Sequence, residues 1–262
     1  MMKKIATLLT IAIFSNWQLA AQEPSPYLGR PLQITHIGHA FGGDIEMPHG
    51  LDYQYLLSTA EGVEFDYNGL PFSKGEMTKM KCDNPTVRFN LSFRPAVLPN
   101  TVVMFSLLGI EGRIDEVRYE SSPGDPRGWE YLEVSATNQE TALEAALLRR
   151  FVAGKTFRFY TGIGLNAGLS YNGEVRVKGY LQDDAITDVP ANGNDVDLTY
   201  QQKPSLNQRL FVQAGVGIRF FKHMEFGLES RRGIGSRATF DGPFHMTILK
   251  RSIGFSLRYS FL

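Results

Sequence analysis

The strongest constraint on this chain is the alternation in its last sixteen residues, Thr247 to Leu262. From Leu249 onward, apolar side chains recur at every second position, as Leu249, Ile253, Phe255, Leu257, Tyr259 and Phe261, and Arg251 is the one interruption. Lys250, Ser252, Gly254, Ser256, Arg258 and Ser260 stand between them. Successive side chains of a strand point to opposite faces, so a sustained period of two predicts a β-strand with one apolar and one polar face.

The same period recurs upstream. Residues 86–97 place Val87, Phe89, Leu91 and Phe93 on one face and Arg88, Asn90, Ser92 and Arg94 on the other, until Pro95 and Pro99-Asn100 stop the strand. Residues 101–114 form the next strand, but between Met104 and Ile110 both faces are apolar, which leaves its orientation open. Within 131–152, Glu140 to Phe151 also fits a helix, because Ala and Leu are dense and Glu140 and Glu144 are four apart. The strand alternative, preferred from its context, sends Leu143, Ala145, Leu147 and Phe151 outward and Glu144 and Arg150 inward. At 157–171, Phe157, Phe159, Thr161, Ile163, Leu165, Ala167 and Leu169 alternate with Arg158, Tyr160, Gly162, Gly164, Asn166, Gly168 and Ser170. Residues 208–221 and 224–234 repeat the pattern, with Arg209, Arg219, Glu225, Glu229 and Arg231 on the polar faces.

The gaps between these strands alternate in length. Connections 97–100, 153–156 and 221–223 are short, whereas 115–130, 172–206 and 235–246 are long and rich in Gly, Pro, Asp and Ser. Short turns at one end and long loops at the other describe an antiparallel up-and-down β-barrel of the transmembrane type. An even strand count requires a further strand upstream. Residues 31–42 supply it, giving eight strands, with 43–85 a large external loop that holds a hairpin at 51–68. Ten is the alternative, if Leu51 to Leu57 and Val63 to Tyr67 are strands of the barrel wall.

The N-terminus agrees with export. Lys3 and Lys4 precede the apolar run Ile5 to Phe14, and Leu19-Ala20-Ala21-Gln22 closes the segment with small residues. These are the parts of a secretory signal peptide, so 1–21 is expected to be cleaved near Ala21, leaving 22–262 as a single outer-membrane barrel domain. No later apolar run approaches the length of a transmembrane helix. Basic and acidic residues balance at 27 each, which removes an electrostatic case for nucleic acid. Cys82 is the only cysteine, so an intramolecular disulfide is excluded, and it reads as a bystander in a polar loop.

The signal segment ending Ala-Gln, the glycine-alternating strand at 157–170, the strand pair at 208–232 and the closing Gly254 to Leu262 together resemble the small outer-membrane β-barrel proteins common in Bacteroidetes, often labelled PorT-like. The resemblance implies an outer-membrane location and a structural, transport or secretion-related role. It implies no catalytic signature and no cofactor.

The polar faces assign ten charged residues to the interior: Arg88, Arg94, Glu144, Arg150, Arg158, Arg219, Glu225, Glu229, Arg231 and Arg258. Charges taken out of water must pair, and an eight-stranded barrel is narrow enough for side chains to fill it. The expectation is a plugged barrel, with a narrow, arginine-lined, ion-selective channel as the alternative. Phe255, Leu257, Tyr259 and Phe261 face lipid on the strand that the barrel-assembly machinery would meet during insertion. Partners beyond lipid would meet the external loops.

Other chemistries find little support. His36, His39, His49 and Asp44 are close in sequence, but residues three apart on a strand point to opposite faces, so no metal site is expected. Ser236, Asp241 and His245 lie in one predicted loop with nothing to fix a hydrolase geometry, and the protein is read as a non-enzyme. The aspartates Asp183, Asp184, Asp188, Asp195 and Asp197 read as a solvated loop. A soluble lipocalin-like barrel also alternates, but it would turn the Phe and Leu series inward.

Overall fold

The computed structural model describes residues 32–63, 77–95, 98, 100–121, 129–153, 156–181, 195–242 and 244–261. The signal segment at 1–21, Phe65, Tyr67, Asp183, Asp184 and Asp188 lie outside these residues. Within them are β1 (Leu32–Pro48), α1 (Tyr53–Ser58), β2 (Met77–Pro95), β3 (Thr101–Glu120), β4 (Trp129–Ala153), β5 (Phe157–Leu181), β6 (Asp195–Gln202), β7 (Ser205–Phe220), β8 (Met224–Thr239) and β9 (Phe244–Ser260).

All strand pairings are antiparallel, and β1 pairs with both β2 and β9, which closes the sheet. The ring runs β1-β2-β3-β4-β5-β7-β8-β9, an up-and-down barrel of eight strands. The ninth strand, β6, adds none to the ring. It pairs with β5 from Gly173 to Tyr180, directly beyond the stretch Phe157–Ser170 that pairs with β7. Connections at 96–100, 154–156 and 221–223 define a turn end, where β1 begins and β9 finishes. The opposite end is the loop end.

Side-chain direction identifies the solvent. Phe41, Phe105, Leu107, Leu143, Ile163, Leu165, Leu210, Phe255 and Leu257 point outward and are exposed, Leu165 at 58%. Arg88, Glu140, Glu144, Gln213, Glu229 and Arg231 point inward and are buried. A soluble barrel has the reverse arrangement, so the lipocalin-like alternative is set aside: this is a transmembrane barrel with an apolar outer belt. The segment that also fits a helix, Glu140 to Phe151, is strand because β3 and β5 pair with it on both sides.

Bulges near the upper edge of the belt reset the faces toward the loop end. They lie at Glu111-Gly112 on β3, Asn172-Gly173 on β5 and Lys250-Arg251 on β9, where the partner strands advance fewer residues. Gly112 and Asn172 hold φ of 69° and 50°, the left-handed region that a bulge of this kind uses. One extra residue flips every later side chain to the other face. Leu249, expected on the lipid face, is therefore inside the barrel at 5% exposure, while Phe244, Met246 and Ile248 take the outer face.

Beyond the belt, polarity inverts. On β5 the outward residues become Glu174, Arg176 and Lys178, and Val175 and Val177 turn in; on β3 Glu116, Arg118 and Glu120 face out while Val117 and Tyr119 are buried. Strands β2 to β6 thus rise past the barrel as a curved sheet with a water-facing outside and an apolar inside. The segment 172–206, expected to be a polar loop, is mostly this hairpin of β5 and β6, because strand pairing satisfies the backbone where the long loop would not. Likewise 235–246 is no long loop: β8 and β9 continue through it, leaving 240–243 as the turn.

The apolar inside of the extension is covered by α1. Leu51, Tyr53, Tyr55, Leu56, Leu57 and Ala60 pack with Cys82, Val117, Tyr119, Leu132, Val134, Ala136, Val175, Val177 and Val196. The first strand of the hairpin expected at 51–68 is replaced by this helix, whose N-cap Asp52 accepts from the Tyr55 amide at 2.7 Å, and 64–68 lie outside the described residues. Tyr53, Leu56 and Leu57 are spaced for a helix as well as Leu51, Tyr53, Tyr55 and Leu57 are for a strand, and only a packed apolar surface decides between them. Backbone bonds from Lys203 to Thr59 and from Glu61 to Gln201 tie the end of this segment to β6.

The belt and the extension predict opposite responses to charge. Leu165→Arg, in the middle of the β5 belt, should destabilise the barrel by about 2–4 kcal/mol in reversible unfolding from lipid vesicles. Glu174→Arg, beyond the belt, should leave the unfolding midpoint unchanged.

Candidate functional site

The barrel interior holds a continuous lattice of ion pairs. Near the loop end, Glu46 of β1 and Glu140 of β4 are bridged by two arginines. Arg113 contacts both at 3.2 Å, and Arg209 donates to both at 2.8 Å. Asn207 donates to Glu140 at 2.9 Å, and Arg237 donates to Asp115 at 2.9 Å and to the Tyr55 hydroxyl at 3.0 Å, which joins the lattice to α1.

In the middle, Arg231 donates to both oxygens of Glu144 at 2.7 and 2.6 Å. Arg88 donates to Asp44 at 3.3 Å and lies 3.9 Å from Glu144 and 3.8 Å from Glu229. Toward the turn end, Arg258 contacts Glu229 at 3.3 Å and Glu225 at 3.4 Å, and Glu225 also accepts from Arg150 at 3.0 Å. These contacts are bidentate or multiply bridged, which is the geometry that offsets desolvation of buried charge.

Large side chains close the remaining space. Tyr160 and Phe211 are buried with Val102, Met104, Ala146, Leu148 and Leu249. Arg258 stacks over the Tyr160 ring at 4.6 Å and Arg231 over Phe211 at 4.8 Å. Each ring lies over its register partner, a glycine on the adjacent strand of the β5–β7 pair: a Cβ on Gly164 would lie 2.4 Å from Phe211 Cζ, and one on Gly215 would lie 2.3 Å from Tyr160 Cζ. Below this layer a cavity of about 200 Å³ opens at the turn end, lined by Arg94, Asn100, Val102, Arg150, Val152, Arg158 and Arg219.

Of the ten charged residues assigned inward from sequence, Arg88, Glu144, Arg158, Glu225, Glu229, Arg231 and Arg258 are buried, and Arg94, Arg150 and Arg219 are half-buried around the turn-end cavity. The outward Phe255, Leu257, Tyr259 and Phe261 are each exposed. Sequence reasoning missed Asp44, Glu46, Arg113, Asp115, Glu140, Arg209 and Arg237. Arg209 already stood on a polar face. Arg113 follows the Gly112 bulge and Arg237 fell in an apparent loop, so their faces were not legible.

The other candidates are dispersed. His36 is buried inside the barrel, whereas His39 faces out against Phe89, with ring centroids 5.0 Å apart. Among the described residues no group of three metal-binding side chains converges. Ser236 and His245 lie on paired strands but at successive positions, Ser236 opposite Met246 and His245 opposite Arg237, so they face opposite ways. His245 instead meets Tyr55 edge-on, with ring centroids 4.3 Å apart. Cys82 is not in a polar loop; it is buried in the extension core, beyond the belt. Burial, and after it the Asp115 carboxylate, push its thiol up to about 12.

No family model and no curated protein matches the chain. Solved structures do. Neisserial surface protein A matches at 11% identity and a TM-score of 0.40, over 88% of this chain and 100% of its own. The outer membrane protein OprG from Pseudomonas aeruginosa matches at 10% identity and a TM-score of 0.45, over 87% and 95%. Ail, the attachment invasion locus protein of Yersinia pestis, matches at 10% identity and a TM-score of 0.31, over 87% and 100%. At these values the barrel assignment rests on the closed pairing of this chain itself. The resemblance to PorT-like proteins gains no support from these comparisons.

Two outcomes follow from this geometry. Glu140→Ala leaves Arg113 and Arg209 short of a shared buried partner and should cost about 3–5 kcal/mol in reversible unfolding. Cys82 should alkylate with iodoacetamide at pH 8 at least ~100-fold more slowly in the folded barrel than after denaturation, because the thiolate is the reactive form.

Proposed function

We propose that this chain is an outer-membrane β-barrel with a plugged interior, serving as a structural or accessory protein that presents a folded extension outside the cell. The observation that carries this reading is the ion-pair lattice, which crosses the barrel from Glu46 and Arg113 to Glu225 and Arg258 with its arginines multiply held. A conducting path would have to break several buried pairs at once.

The orientation follows from the two ends. Short turns suit the periplasmic side and the extension the outside. A leader at 1–21, removed near Ala21, would deliver the chain to the periplasm, and the strand bearing Phe255, Leu257, Tyr259 and Phe261 would meet the barrel-assembly machinery. The extension is a second folded layer rather than a set of loops, since α1 and β2 to β6 share an apolar core. Its outer face, with Arg176 and Asp197 paired at 2.6 Å, suits a protein partner better than lipid. A secretion- or transport-related role would act through this surface. The reading assigns the chain no catalytic step and no cofactor.

The turn-end cavity favours a second reading, a narrow anion-selective channel. Planar-bilayer recording separates the two. The plugged barrel should give no steady conductance, whereas Glu144→Ala together with Arg231→Ala should open discrete steps. Steady anion-selective current from the unmodified protein would establish the channel instead. The protein should also be recovered in the outer-membrane fraction and migrate differently on gels before and after boiling.

A further inference from the structure

Among the described residues, the charges of the interior balance everywhere except at the turn end. In the body of the barrel, Asp44, Glu46, Asp115, Glu140, Glu144 and Glu229 face Arg88, Arg113, Arg209, Arg231, Arg237 and Arg258, one for one. Around the 200 Å³ cavity the ratio fails. Arg94, Arg150, Arg158 and Arg219 come from four different strands, β2, β4, β5 and β7, and converge on it. Among the described residues the nearest carboxylate is Glu225, and it is already engaged by Arg150 at 3.0 Å and Arg258 at 3.4 Å.

Among the described residues, the surrounding chain supplies no further negative side chain. The described residues of the connections at this end, 98, 100, 156 and 221–223, include no Asp or Glu, and Lys222 adds positive charge. Arg94 Nε and Arg219 Nε are buried without a hydrogen-bond partner. Arg219 reaches Ser260 at 3.4 Å. Guanidinium groups held together at low dielectric repel one another unless an anion sits among them. The cavity is closed above by Val102, Met104, Leu148 and Tyr160, so an anion could enter and leave by the turn end alone.

We infer that the turn-end vestibule is a binding site for a tetrahedral oxyanion, a phosphate or a phosphate monoester presented from the periplasmic side. Planar guanidinium forks match two oxygens of such a group, and arginines from several strands surround it in the way a single lysine would not. The cavity holds the charged group, with any attached chain extending through the opening. The inference concerns binding and stands whether or not the barrel conducts.

The test is calorimetric titration of inorganic phosphate into the full-length protein, folded in a non-ionic detergent free of phosphate, at constant ionic strength. The expected result is a saturable site of unit stoichiometry that chloride does not fill. Arg94→Gln together with Arg219→Gln should weaken it by at least ~tenfold, the scale of lost charge-assisted contacts. Arg176→Gln on the extension should leave it unchanged. Heat-dependent gel migration shows that each variant still folds. A short-chain phosphatidic acid in the same detergent separates the sources: saturation by phosphate identifies a free anion, and saturation by the lipid alone identifies a headgroup. Absence of binding by both, or binding unchanged in the double variant, overturns the assignment.

Discussion

Hydrogen bonding between β1 and β9 is the contact on which the rest of this structure depends. Thirteen residues from His36 to Pro48 pair with β9, and without them β1 and β9 would each present a row of unpaired amides and carbonyls to hydrocarbon. Closure has a direct consequence for side chains. Once the edges are joined, every residue of the wall is either outside, against lipid, or inside, in a space too narrow for water to solvate charge. Apolar residues can take the first place without cost. The polar residues left for the second must find one another.

That requirement explains the lattice better than stability does. Replacing buried ion pairs with fitted apolar side chains is often neutral or favourable, so charge inside the barrel is not needed to hold the ring together. What the lattice does is determine which strands lie opposite across the lumen. Glu46 of β1 and Glu140 of β4 come together through Arg209 of β7, and Arg88 of β2 reaches Glu144 of β4 and Glu229 of β8. Each pair joins strands that do not neighbour one another, so the lumen is braced across its width and its contents are immobilised. The turn end is the exception, where arginines of four strands line a cavity and Glu225 is already engaged.

The extension obeys the opposite solvent logic with the same strands. Past Gly112 on β3 and Asn172 on β5 the outside is water, and the apolar residues move in to form a core of the soluble kind. Helix α1 closes that core much as a helix covers a half-exposed sheet in a soluble domain. Through Tyr55 and Arg237 the two layers are joined at one hydrogen bond of 3.0 Å, so the outer cap and the inner lattice meet at the loop end.

The strands at 157–171, 208–221 and 249–261, and the outward direction of Phe159, Ile163, Leu165, Phe255 and Leu257, were determined by sequence alone. Period-two alternation is local, and a belt that faces lipid tolerates almost any apolar residue at each position. The even count and the short turns at 97–100, 153–156 and 221–223 were legible for the same reason. Three things were decided only by tertiary structure. Bulges moved Leu249 to the inside, because a single extra residue shifts the face of all that follow. The segment 53–58 became a helix, because the apolar surface it covers exists only after β2 to β6 have assembled. Pairings such as Arg209 with Glu46 depend on which strands oppose one another across a closed ring, and that distance is set by closure, not by any spacing along the chain.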